Sequence, residues 1–95
     1  MTTTFTIVET TNHAGPLNHN AGRWVTGRIG ECTYQAKVYP CGSEFGIRDG
    51  NISKLSIRDA ATRKEVAAYD RGWDILPENE HIQELVNALV EHYWA

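Results

Sequence analysis

Tyr69-Asp70-Arg71-Gly72-Trp73-Asp74 brings a guanidinium, two carboxylates and two aromatic rings into six consecutive positions. An arginine fork takes a phosphate or carboxylate through two parallel hydrogen bonds, and a Trp or Tyr face stacks on a flat ring. Upstream, Asn51-Ile52-Ser53-Lys54 adds an ammonium and a hydroxyl. Arg71, Trp73, Lys54, Tyr69, Ser53 and Asp74 are therefore the candidate set for a small anionic, nucleotide-like ligand. The same residues also read as a brace, with Trp73 plugging the core between sheet and helix and Asp70 or Asp74 paired with Arg71 across a turn. Both readings stay open on the sequence. The whole segment Gly42–Asp74 is crowded, with four glycines, six acids and six bases where a plain strand needs only alternation. Gly46, Gly50 and Gly72 are expected there at positive φ or at close backbone approaches.

Other chemistry finds little footing. No G-x-S-x-G elbow or Ser-x-x-Lys motif accompanies Ser43 or Ser53. Glu44, Asp49, Asp59, Asp70 and Asp74 suit turn capping and arginine pairing better than a catalytic carboxylate pair. No catalytic residue is assigned, and the chain is expected not to be an enzyme. His13, His19, His81 and His92 lack any H-x-x-x-H, C-x-x-C or H-E-x-x-H spacing, so neither a metal nor a cofactor is expected. Cys32 and Cys41 lie along one extended stretch at about 3.3 Å per residue, too far apart for a disulfide, and read as two free thiols.

The chain of 95 residues is 41% apolar and 22% charged, with a net charge of −3. That composition describes one globular domain. The charge is uneven: nine bases face seven acids over 21–74, and four glutamates stand with no Lys or Arg over 75–95. A duplex-binding surface needs several clustered bases, so direct nucleic-acid binding is not expected. Glu80, Glu84 and Glu91, with Glu44, instead offer an acidic face to a protein partner, the alternative reading. The apolar runs are too short to span a membrane, and the first residues lack the basic start and apolar middle of a secretory signal. A cytoplasmic protein is expected.

These residues must be held by an α+β domain, an antiparallel β-meander of four or five strands packed against one C-terminal α-helix. Thr3–Thr10 reads as a strand with Phe5 and Ile7 on one side. Residues 11–22 form a long loop, a mobile connector or a flap. Arg23–Ile29 and Glu31–Tyr39 form a hairpin, with Cys32, Tyr34, Ala36 and Val38 on one face and Thr33, Gln35, Lys37 and Tyr39 on the other. Pro40–Gly50 is an excursion anchored to the core by Phe45 and Ile47. Ile52–Asp59 follows, with Leu55 and Ile57 inward and Ile52 out of phase, which suggests a bulge or a strand start near Asn51. Lys64–Asp70 completes a second hairpin. Ile82, Leu85, Val86, Leu89 and Tyr93 form a helical apolar stripe, with Pro77 in the first turn. The single domain, 1–95, thus divides into an N-terminal strand and loop (1–22), a sheet (23–76) and a helix (77–94).

Trp24 with Gly27, Ala36-Lys37-Val38, Ser43-Glu44-Phe45-Gly46-Ile47, Gly50-Asn51-Ile52-Ser53-Lys54-Leu55 and Tyr69–Asp74 together resemble a small uncharacterised family of phage and bacterial proteins, a domain of unknown function. The resemblance covers about residues 24–90; where it leads one to expect a basic residue after Gly50, this chain has Asn51. It implies a phage or mobile-element origin and, by analogy with other small phage proteins, action by binding. The expected function is counter-defence by sequestering a nucleotide-like signalling molecule in the host cytoplasm, helped by homo-oligomerisation. The alternative is inhibition of a host defence protein or CRISPR nuclease through the acidic helix or the Gly42–Gly50 loop.

Overall fold

The computed structural model describes residues 5–10 and 22–94. Strands β1 (Ile7–Glu9), β2 (Arg23–Ile29), β3 (Cys32–Val38), β4 (Ile52–Asp59), β5 (Glu65–Asp70) and β6 (Trp73–Ile75) precede one helix, α1 (Glu80–His92). Every pairing is antiparallel and follows chain order, so the sheet is a six-stranded meander with β1 and β6 at its edges. The α+β architecture matches the expectation, with one strand more. That strand, β6, is only three residues long and lies largely inside the Tyr69–Asp74 motif, too short for any periodicity to show. The loop expected over 11–22, apart from Gly22, lies outside the described residues, as do His13 and His19.

Strict alternation builds the central strands. Cys32, Tyr34, Ala36 and Val38 of β3 are buried with Val25 and Ile29 of β2, while their neighbours face the other way. Gly30 at φ 57° supplies the left-handed first position of the two-residue turn between these strands. On α1, Ile82, Leu85, Val86, Leu89 and Val90 form the buried stripe that covers one face of the sheet. The helix is shorter than 77–94. It starts after Asn79, whose side chain accepts a hydrogen bond from the Ile82 N–H at 3.0 Å. Pro77 lies outside it, and Glu78 is held to the sheet by its N–H donating to the Val66 carbonyl at 3.0 Å. No helix among the described residues is long and apolar enough to cross a membrane.

The sheet shifts register three times, once between β5 and β6 at Ala68/Tyr69 and twice where the phase of core residues is at stake. Lys37 pairs with Lys54 but Val38 pairs with Ile52, which leaves Ser53 as an extra residue and returns Ile52 to the core side with Leu55 and Ile57. Between β4 and β5, Ile57 pairs with Ala67 and Arg58 with Glu65, so Val66 is extra and both Val66 and Ala67 are buried. Cys32 is a buried free thiol, pushed up in pKa by burial and then by the nearby Glu31 and Asp59 charges, and Cys41 is an exposed one.

A polar chain runs through the helix side. The Tyr93 hydroxyl donates to Glu9 Oε1 at 2.7 Å and lies 2.7 Å from the Tyr34 hydroxyl, which must therefore donate to it. Gly27 makes the room, since a Cβ there would come within 2.7 Å of the Tyr34 hydroxyl. Arg23 lies 3.6 Å from the second Glu9 oxygen. This chain fastens β1 and the end of α1 to the middle of the sheet. Burial pushes both phenols up in pKa, and for Tyr93 the hydrogen bonds to Tyr34 and Glu9 push further in the same direction.

Because the folded phenols resist ionisation, the stability they contribute is complete below the unfolded value of about 10 and is lost as pH rises beyond it. Tyr93→Phe strands the buried Tyr34 hydroxyl and is expected to lower the unfolding free energy by about 1–3 kcal/mol in urea titration. The double variant Tyr34→Phe/Tyr93→Phe recovers part of that loss and loses less stability than the parent chain above pH ~10.

Candidate functional site

The register of β2 to β5 lines up Trp24, Lys37, Lys54 and Asp70 as successive cross-strand partners on the face turned away from α1. Two lysines thus stand directly opposite one another, an arrangement that destabilises a bare sheet. Asp70 Oδ1 lies 3.8 Å from Lys54 Nζ and 3.5 Å from Arg71 Nε. One carboxylate therefore serves two cations, and among the described residues Lys37 has no carboxylate partner. Its ammonium lies instead 5.8 Å from the Trp24 ring centre and 5.6 Å from that of Tyr39.

The Ser53 bulge positions the third cation. The Arg71 N–H donates to the Ser53 carbonyl at 2.9 Å, and the Asp70 N–H donates to the Gly72 carbonyl at 2.8 Å, closing the β5–β6 turn. Arg71 itself adopts φ 56°, which costs an L-residue about 1–2 kcal/mol. The expectation that Gly72 would take such a backbone is corrected: Gly72 is not among the positive-φ residues, and a Cβ on it would meet nothing within 4 Å. Gly46 and Gly50 are close approaches without positive φ. A Cβ on Gly46 would collide with the Gly50 carbonyl, and one on Gly50 would come within 2.7 Å of Trp94.

The excursion between β3 and β4 forms the wall. Asn51 closes its base, its amide donating to the Tyr39 carbonyl at 2.9 Å while the Tyr39 N–H donates to the Asn51 carbonyl at 2.9 Å. Asn51 is 3% exposed, a place suited to a paired amide and unsuited to a charge. Ile47 is buried as expected, but Phe45 is 52% exposed and does not reach the core. Its carbonyl is the anchor, accepting from the Tyr69 hydroxyl at 2.9 Å, and its ring is left at the surface.

The result is a hollow of about 700 Å³ lined by Lys37, Lys54, Arg71, Tyr39, Phe45 and Ser53, with Cys41 and Ser43 at its margin. Among the described residues, three cations and no acid face it. A second hollow of about 300 Å³ shares Lys54 and is lined by Trp24, Gln35, Ser56, Asp70, Asp74 and Ile75 among others. Of the six candidate ligand residues, Lys54, Arg71 and Ser53 meet in the first hollow and Asp74 and Tyr69 border the second. Trp73 lines neither. It packs edge-to-face on Tyr69 at 5.1 Å, and both rings lie against the core. Burial, and then the Asp49 charge, push the Tyr69 phenol up in pKa. The rings beside the cations are instead Tyr39 and Phe45. Tyr39 shared the outward phase of Lys37, which was the available signal; Phe45 offered none, because an aromatic in a loop reads first as an anchor.

Glu80, Glu84, Glu91 and Glu44 are exposed and make no ion pair with the described residues. His81 Nε2 lies 2.9 Å from Glu31 Oε1. Among the described residues no group of His, Cys, Asp and Glu could hold a metal ion. The chain belongs to the family described as a domain of unknown function (DUF7678), whose sequence model matches residues 23–94, from the start of β2 past the end of α1. Neither a curated protein nor a solved structure matches the chain.

Arg71→Gly tests whether the arginine is kept for the turn or despite it. Relief of about 1–2 kcal/mol of left-handed strain should outweigh about 0.4–1 kcal/mol from a freer unfolded chain. The variant is expected to hold or raise the unfolding free energy in urea, and a loss above about 1 kcal/mol would mean the guanidinium braces the turn.

Proposed function

We propose that this chain is a non-enzymatic binding protein that sequesters a small anionic, nucleotide-like ligand in the hollow between β3, β4 and the β5–β6 turn. The observation that carries this reading is the opposition of Lys37 and Lys54 beside Arg71, with Asp70 as the carboxylate that two of these cations share. A phosphate seated there replaces like-charge repulsion with charge-assisted hydrogen bonds, each worth about 1.5–3 kcal/mol. Tyr39 and Phe45 supply apolar faces for the ring of the same ligand. The volume is that of a small-molecule site. No catalytic step is assigned to it.

We take the chain to be of phage or mobile-element origin, and on that footing its role is counter-defence, the protein withdrawing a signalling nucleotide in the cytoplasm of the host. A second reading, inhibition of a host defence protein or nuclease, rests on the exposed Phe45 in the Gly42–Gly50 loop and on the exposed Glu80, Glu84 and Glu91. The two readings share Phe45 but call on different charged groups, the cations of the hollow or the glutamates of α1, and separate by charge substitution.

Thermal denaturation with nucleoside mono-, di- and triphosphates tests the first reading. At a ligand concentration about 100-fold above Kd, stabilisation of about 2.7 kcal/mol is expected, a rise of several degrees. Lys37→Ala, Lys54→Ala and Arg71→Ala should each weaken binding about tenfold or more. Glu80→Lys/Glu84→Lys/Glu91→Lys should leave it unchanged. No rise with any nucleotide in excess overturns the proposal, and loss of partner inhibition in the glutamate variant alone would favour the second reading.

A further inference from the structure

We propose that the ligand is a dinucleotide unit, two bases joined through phosphate, with the phosphate on Lys37 and Lys54 and one base in each hollow. This rests on reading the first hollow as a nucleotide site and extends it to the second. The two hollows meet at Lys54. Lys37 stands beside it with a ring on either hand, since Tyr39 lines the first hollow, Trp24 lines the second, and the ammonium is 5.6 and 5.8 Å from the two ring centres. The order ring, cation, ring along the sheet face repeats the order base, phosphate, base.

The electrostatics of the hollows differ in the way such a ligand requires. Among the described residues, the first is lined by three cations and no acid. The second sets Lys54 against Glu65, Asp70 and Asp74. A phosphate is therefore repelled from the second hollow and drawn to the boundary between the two. The second hollow suits a neutral group that donates hydrogen bonds, because carboxylates only accept. Gln35 adds both a donor and an acceptor there. A base carrying an exocyclic amino group meets these conditions. Trp24, 44% exposed, offers the face on which it stacks.

Isothermal titration of the full chain with AMP, ADP and the dinucleotide pApA separates the possibilities; ADP controls for added phosphate. The expected result is pApA binding on the order of tenfold more tightly than AMP or ADP. Trp24→Leu should bring pApA down to the affinity the variant has for AMP, with AMP itself losing far less than pApA, and Trp24→Phe, which keeps a ring, should restore most of the difference. Equal affinity for pApA and the mononucleotides overturns the second base site while the first-hollow reading stands. The second base site is equally overturned if Trp24→Leu weakens AMP and pApA alike with its thermal midpoint intact. Failure of all three to bind overturns the first-hollow reading and this proposal with it. A ten-nucleotide oligoadenylate distinguishes a free dinucleotide from a segment of a strand. A strand would run on into the neighbouring hollow lined by Arg28 and Arg58, so strand binding that is tighter than pApA and weakened by Arg58→Ala assigns the unit to a strand. Binding no tighter than pApA assigns it to the free dinucleotide.

Discussion

The extra residue at Ser53 is the constraint on which the site depends. Without it, β4 could not keep Ile52 in the core on one side of the bulge and Leu55 and Ile57 in the core on the other. A slip by one residue would turn Lys54 inward, since side chains alternate with a period of two. With the bulge in place, Lys54 faces Lys37 and the displaced Ser53 carbonyl receives the Arg71 N–H. One irregularity in the ladder therefore fixes the relative positions of all three cations. Its closure at the other end is the Asn51 clamp on Tyr39, which starts the excursion that walls the hollow.

The two faces of the sheet obey different rules. On the helix side apolar burial is continuous, the tyrosine hydroxyls are paired, and among the described residues no buried side-chain nitrogen or oxygen lacks a partner. On the open side lysines are opposed across strands beside an arginine in a left-handed turn, a backbone that Arg48, Asp49 and Arg63 also adopt outside the hollow. The opposed lysines are the violation particular to the hollow, and a like-charge pair of this kind is held by the rest of the structure against its own preference. The acidic surface of α1 breaks no such rule.

Long, regular elements were legible in the sequence. The α1 stripe and the alternation of β3 follow from periods of 3.6 and 2, and the phase error at Ile52 announced the bulge. The short strand β6 was not legible, because three residues carry no period. The Tyr69–Asp74 motif drew attention for its chemistry, yet its rings serve the core and the loop, while Arg71 alone of its side chains enters the first hollow. Composition within a motif cannot tell which face of a twisted, bulged sheet each residue takes. Tyr39 shared the outward phase of Lys37, whereas Phe45 joined the site through tertiary approach of the Pro40–Gly50 excursion, a feature no local pattern encodes.

The central claim is that the cations around the Ser53 bulge bind a phosphate-bearing ligand. Amide chemical-shift mapping of the isotopically labelled chain during titration with ADP tests it most directly. The account predicts saturable shifts at Lys37, Tyr39, Ser53, Lys54 and Arg71, with the amides of α1 unmoved. Shifts confined to α1, or none at saturating ADP, would contradict it.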